Sequence, residues 1–124
     1  MKKSIRISPA EWDVSVVVWE RAPVAASVVT KVLSKAKGWS LTTVRTLLQR
    51  LVNKGVLKQQ MEGKRYLYSP RIAKEELLMQ ESESFLSRVL GHAPSATVLH
   101  LVRKADLSPE DIRELRQILR EKEK

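Results

Sequence analysis

The chain has 124 residues, no cysteine, and 23 Lys plus Arg against 14 Asp plus Glu, a formal net charge of +9. That length holds one domain, or one small domain with an appendage. The lack of cysteine excludes disulfides, thiolate nucleophiles and thiolate metal sites, and fits a reducing, cytoplasmic setting. No apolar run approaches a membrane span, and the basic start leads into polar sequence, so no membrane insertion is expected. The charge is uneven: residues 1–70 carry 13 basic against 4 acidic side chains, and residues 71–124 carry 10 against 10. All the excess positive charge therefore lies in the first part, where it implies a polyanionic partner. A basic membrane-surface domain would show the same imbalance, so charge alone does not choose.

Ser8-Pro9-Ala10-Glu11 combines an N-cap serine, a proline at the first helical position and a glutamate able to close a capping box. A helix is expected from here to about Glu20, with Trp12, Val16 and Trp19 as core anchors and Ile5 stapling its start. Arg21-Ala22-Pro23 ends it. Val24-Ala25 leaves room for a very short strand before a second helix from about Ser27 to Lys35, on which Val28, Val29, Val32 and Leu33 face inward.

The next stretch, Gly38 to Gly55, has both ends of a helix written into it: Ser40 as N-cap and Gly55 just past the C-terminus. Leu41, Val44, Leu47, Leu48, Leu51 and Val52 fall on one side of the helical wheel. Thr42, Thr46, Gln49 and Asn53 lie opposite, flanked by Thr43 and Arg50. The outer face has no acidic residue. Its short hydrogen-bonding groups suit base edges, and Arg45, Arg50 and Lys54 nearby suit phosphate. Two short helices joined by a tight turn containing glycine form a helix-turn-helix. Trp39, just before the N-cap, is expected to pack.

After Gly55 the period changes to 2. Val56 to Glu62 and Arg65 to Ser69 read as two strands around Gly63-Lys64, a β-hairpin wing with Lys58, Lys64 and Arg65 as its cations. Pro70 closes this module. A helical zone from about Ile72 to Val89 follows, broken at Gly91-His92-Ala93-Pro94. Ser95 opens a short helix, and Ser108-Pro109-Glu110-Asp111 starts the last one. The apolar stripes of these helices include Leu78, Phe85, Leu86, Val98, Leu99, Leu101, Val102, Ile112, Leu115, Ile118 and Leu119. At about 25 cal/mol per Å² of apolar surface removed from water, three loose helices gain little alone, whereas two interlocked copies double the buried face. Homodimerisation through residues 71–124 is the economical expectation; a heterodimer would need a partner the sequence does not name. The fold class is thus mainly α with a small β-hairpin wing: a winged helix-turn-helix over residues 1–70 and a helical dimerisation region over residues 71–124.

The block W-S-x-x-T-V-R-T-x-L-x-R-L-x-x-K-G from Trp39 to Gly55, the G-K-R-Y-L-Y-S-P wing from Gly63 to Pro70 and the Ser84-Phe85-Leu86 segment resemble the BlaI/MecI penicillinase-repressor family of winged-helix transcriptional repressors. The resemblance spans essentially the whole chain. It implies a bacterial homodimer on a pseudo-palindromic operator, repressing β-lactamase or other resistance genes. It implies base-reading positions at Thr42, Thr43 and Thr46, and phosphate-facing ones at Ser40, Arg45 and Arg50. Family repressors of penicillinase genes are inactivated by a sensor-activated protease that cuts between an Asn and a Phe. The aligned pair here is His100-Leu101, a departure that speaks against the same protease specificity and against β-lactam induction. Relief of repression is expected from proteolysis or from weakening of the dimer. Copper-responsive relatives carry a cysteine-rich tail, and this chain has no cysteine.

For an enzyme the sequence lacks a nucleophile with a base, paired carboxylates, a phosphate loop and a metal cluster. The two histidines, His92 and His100, have no patterned carboxylate near them, so neither metal nor cofactor is expected. Glu75, Glu76, Glu81 and Glu83 read as a solvated helix face. The rival to a DNA-binding repressor is a winged-helix adaptor whose basic face meets an acidic protein without sequence-specific DNA binding.

Overall fold

The computed structural model describes residues 5–89 and 94–124. Helix α1 (Pro9–Arg21) starts as its sequence predicts. Ser8 Oγ accepts the Glu11 N–H at 3.1 Å, and Glu11 Oε1 accepts the Ser8 N–H at 2.9 Å, closing the capping box behind Pro9. Its buried face is Glu11, Val14, Ser15, Val17 and Val18, rotated from the expected Trp12, Val16 and Trp19. The valines fill the tight interior, while the two indoles sit half-buried at its edge. There their rings meet edge-on at 5.5 Å, and Trp19 Nε1 can donate to the Ile72 carbonyl at 3.1 Å. Ile5 and Ile7 also pack against this core.

Strand β1 (Val24–Ala25) leads directly into α2 (Ala26–Lys37), which ends at Gly38 with a left-handed φ of 72°. α2 buries Val29 and Leu33 and half-buries Val32. Val28, expected to face inward, stays exposed because it sits about 100° around the helix from Val29, toward solvent. Helix α3 (Leu41–Asn53) begins at Ser40, whose Oγ accepts the Thr43 N–H, and buries Val44, Leu47, Leu48 and Leu51. Leu41 in its first turn is exposed. The helix closes with both hydrogen bonds of a Schellman motif, Gly55 N–H to the Val52 carbonyl at 3.1 Å and Val56 N–H to the Leu51 carbonyl at 3.0 Å. Gly55 holds a φ of 83°, so a side chain at this position would be strained.

Strands β2 (Leu57–Glu62) and β3 (Arg65–Pro70) pair antiparallel from Leu57↔Pro70 to Glu62↔Arg65. Gly63 comes first in the two-residue turn with a φ of 63°, as a type II′ hairpin requires. β1 adds to the other edge of β3 through Val24↔Tyr68 and Ala25↔Leu67, giving the order β1-β3-β2. This pairing seats the start of α2 beside the wing.

Helix α4 (Lys74–Val89) changes the expected boundary. Val56 O accepts the Arg71 and Ile72 amides, and Ile72 and the fully buried Leu77 belong to the core formed by α1, α2, α3 and the sheet. The chain divides into one compact unit ending at Phe85 and another from Leu86 to Lys124, so the first unit runs past Pro70. Glu81, expected on a solvated face, is half-buried and accepts the Ile7 N–H at 3.2 Å.

The second unit holds α5 (Pro94–Lys104) and α6 (Pro109–Glu123), the latter opened by a Ser8-like capping box between Ser108 and Asp111. Gly91, His92 and Ala93, where a break was expected, lie outside the described residues. Val98, Leu99, Leu101, Val102, Ile112, Ile118 and Leu119 are exposed, and Leu86 and Leu115 are half-buried. Among the described residues no helix is long and apolar enough to cross a membrane.

Candidate nucleic-acid interface

The buried stripe of α3 decides which side chains it presents. With Val44, Leu47, Leu48 and Leu51 in the core, Thr42, Thr43, Thr46, Gln49 and Arg50 are all turned outward. Three side-chain hydrogen bonds on this face differ chemically. Thr46 Oγ1 donates to the Thr42 carbonyl at 3.0 Å, so it shows a methyl group and an acceptor lone pair. Ser40 Oγ, while capping the Thr43 amide, donates to Thr43 Oγ1 at 3.2 Å, which leaves the Thr43 proton to donate outward. Gln49 Nε2 donates to Asn53 Oδ1 at 3.1 Å, one turn on, which fixes the amide's direction.

A cleft of 510 Å³ opens beside this face, lined by Arg45, Thr46 and Gln49 of α3, Lys64, Arg65, Tyr66 and Tyr68 of the hairpin, and Ala25, Ala26 and Ser27 where β1 passes into α2. The N-cap of α2 is Ala25, which makes no side-chain cap bond, so the first amides of that helix are uncapped toward the cleft. Arg65 faces Glu62 at 3.9 Å with both side chains largely exposed, a pair too solvated to hold the guanidinium back. Arg45, Arg50, Lys58 and Lys64 have no carboxylate within ion-pair distance among the described residues. Burial pushes the Tyr68 hydroxyl above its ordinary pKa, against the pull of Arg45, so this phenol stays neutral near pH 7.

The fold thus brings Arg45, Thr46, Lys64 and Arg65 to one cleft. Ser40, Thr42 and Thr43 lie at the exposed first turn of α3, Arg50 on its last turn and Lys58 on β2, outside the cleft lining. Lys54, expected to face phosphate, makes two contacts within the protein. Its ammonium lies 2.8 Å from Glu11 Oε1 and 2.8 Å from the Arg6 carbonyl. Gln49, Tyr66, Tyr68 and the start of α2 join the cleft in addition to the residues expected from the sequence. Gln49 shares a wheel face with Thr42 and Thr46, and Tyr66 and Tyr68 share one face of β3 by the period of 2, so signals for three of them existed. The approach of α2 depends on the β1–β3 pairing, which no local pattern reveals.

His100 and Leu101 are both exposed on α5. Leu78 and Phe85 are exposed on α4.

Comparisons with known proteins accord with this geometry. The penicillinase repressor family profile matches residues 7–121. The chain is 39% identical over 121 residues to the penicillinase repressor of Bacillus licheniformis, covering 98% of this chain and 94% of that protein. It is 32% identical over 120 residues to the methicillin resistance regulatory protein MecI of Staphylococcus aureus (strain N315), covering 97% and 98%. It is also similar to the solution structure of the DNA-binding domain of the repressor BlaI, at 39% identity and a TM-score of 0.54 over 61% of this chain and 93% of that one. The solution structure of monomeric Bacillus licheniformis BlaI in complex with the blaP half-operator matches at 39% identity and a TM-score of 0.52, with the same coverage. The profile match over residues 7–121, with 39% and 32% identity over nearly the full length of the two relatives, means that the chain belongs to the penicillinase-repressor family.

Proposed function

We propose that this protein is a homodimeric transcriptional repressor in which each copy lays α3 in a major groove of operator DNA. The observation that carries this reading is the open cleft where the acid-free outer face of α3 meets the wing cations and the start of α2. Thr42, Thr43 and Thr46 read base edges: Thr46 offers a methyl group and an acceptor, and Thr43 a donor. Ser40, Arg45, Arg50, Lys58, Lys64 and Arg65 serve the phosphates, aided by the Leu41 and Thr42 amides that the Ser40 cap leaves open at the start of α3. Lys54 is left out of the phosphate set because a carboxylate already occupies its ammonium.

Association through the exposed apolar residues of α4, α5 and α6 sets the spacing of two half-sites, about one or two helical turns apart. Repression follows from occupying a promoter. Relief follows from weakening the dimer, since a single copy makes half the contacts. A cut at His100-Leu101 would divide α5 and separate α6 from the rest of the apolar surface; a sensor-activated protease is the partner this route requires.

A salt titration tests the reading. Affinity for a preferred duplex is expected to fall with a log-log slope of about 0.9 per phosphate contacted, while staying about a thousandfold or more above random DNA. Equal affinity for every duplex at all salt concentrations would refute it.

A further inference from the structure

Among the described residues of the first unit, Glu11 is the one carboxylate that is almost wholly buried, 3% exposed, and the proposed DNA reading does not use it. Its Oε1 accepts the Ser8 N–H at 2.9 Å and the Lys54 ammonium at 2.8 Å, while Oε2 is buried without a hydrogen-bond partner among the described residues. Burial works against ionisation of this carboxyl, but the hydrogen bonds from Lys54 and Ser8 outweigh it and hold the pKa below the usual glutamate range. Lys54 is the C-cap of α3 and also donates to the Arg6 carbonyl at 2.8 Å. The residues on either side of Arg6 turn the other way: the Ile5 N–H meets Gln80 Oε1 at 3.4 Å and the Ile7 N–H meets Glu81 Oε1 at 3.2 Å, both on α4. One ammonium therefore ties the end of α3 to the start of α1 and, through residues 5–7, to α4.

We propose that Lys54 is a positioning residue for DNA recognition: through Glu11 and the strap of residues 5–7 it locks the C-terminal end of α3 and so sets the angle at which the helix presents Thr42, Thr43 and Thr46. The inference rests on the groove-reading role of α3 given above. The Lys54 side chain is itself 37% exposed, so the hold comes from the other partner: a buried carboxylate deprived of its cation is costly. A phosphate would have to compete with that carboxylate for the same ammonium. The thirteen residues of α3 span about 20 Å. Over that length a tilt of a few degrees about the packed middle of α3 would shift its first turn by about half an ångström, enough to matter to a base-edge hydrogen bond.

The test compares the full-length protein with Lys54→Met, which keeps the aliphatic stem, Glu11→Gln, which keeps an acceptor for the Ser8 amide, and the double variant. Each is titrated with a preferred duplex and a random duplex across salt, and thermal unfolding confirms that each is folded at the assay temperature. Lys54→Met is expected to lower preferred-duplex affinity about tenfold while leaving random-duplex affinity and salt slope unchanged. Glu11→Gln should shift the preference in the same direction, and the double variant should lose less than the sum of the two. Equal loss on both duplexes, with the slope reduced by about one unit, would make Lys54 a phosphate contact and overturn the proposal. So would an undiminished preference in Glu11→Gln, which decides alone if Lys54→Met does not fold. Wild-type protein without a preferred duplex would instead refute the groove-reading role of α3.

Discussion

Up to Phe85 and from Leu86 onward, the chain treats its apolar side chains in opposite ways. In the first unit Val14, Val18, Val29, Val44, Leu48, Leu51, Leu57 and Leu77 are completely buried around one core. In the second, Leu99 is 53% exposed, Leu119 is 52% exposed, and α6 buries none of its residues. The charge divides along nearly the same line, with the excess of basic residues confined to the first 70 positions. A unit that satisfies its own core can afford to spend its surface on cationic and hydrogen-bonding groups. An exposed apolar stripe of this kind marks a surface for association, the use the proposed dimer makes of it.

The sharpest way to break this comparison is to separate the units. A fragment ending at Phe85 keeps Ile72, Leu77, Gln80 and Glu81, so it should fold as a monomer and bind a two-site operator about a hundredfold or more weakly than the whole chain. Dimeric behaviour of that fragment in sedimentation would refute the assignment of the tail. Ending at Pro70 instead strips Leu77 from the core and should lower the melting temperature of the fragment well below that of the longer one.

Core substitutions come next. Leu48→Ala or Leu77→Ala should cost about 2–5 kcal/mol in denaturant unfolding. Leu99→Ala should cost about 0.5 kcal/mol or less at concentrations where the protein is monomeric, yet weaken self-association. A large loss for Leu99→Ala in the monomer would mean that the second unit has a core of its own. Thr46→Ala should cost on the order of 1–3 kcal/mol on a preferred duplex and little on random DNA. Arg65→Ala should weaken both duplexes alike and flatten the salt slope by about one unit.

A pH dependence is the smallest effect. The Glu11 carboxyl has its folded-state pKa lowered, so its contribution is fully present above the ordinary glutamate range and is lost as pH falls through the depressed value. Wild-type stability should therefore decline in acid more steeply than that of Glu11→Gln. Parallel curves for the two proteins would mean that the Lys54 pair contributes nothing to folding.

How far the sequence foretold this molecule follows from the range of its signals. Helix periods, the Ser8 and Ser108 capping boxes, the Ser40 cap and the Gly55 and Gly63 backbone positions all act within a few residues, and each was legible. So was the outer face of α3, because the buried and exposed positions of one helix are set by its own period. The pairing of β1 with β3 and the Glu11–Lys54 contact join residues 42 or more positions apart, and Leu77 docks into a core drawn from other elements, so local pattern carries no information about them. The tryptophans show a subtler miss. Helical spacing placed them on the inner face of α1, but the valines between them fill that space more closely, leaving the indoles at the rim.

The most direct test of the central claim is selection of preferred duplexes from a random pool by the full-length protein at moderate salt. The account predicts enrichment of an inverted repeat whose half-sites lie about one or two helical turns apart. A pool that shows no enrichment, or that converges on a single asymmetric site bound by one copy, would contradict it.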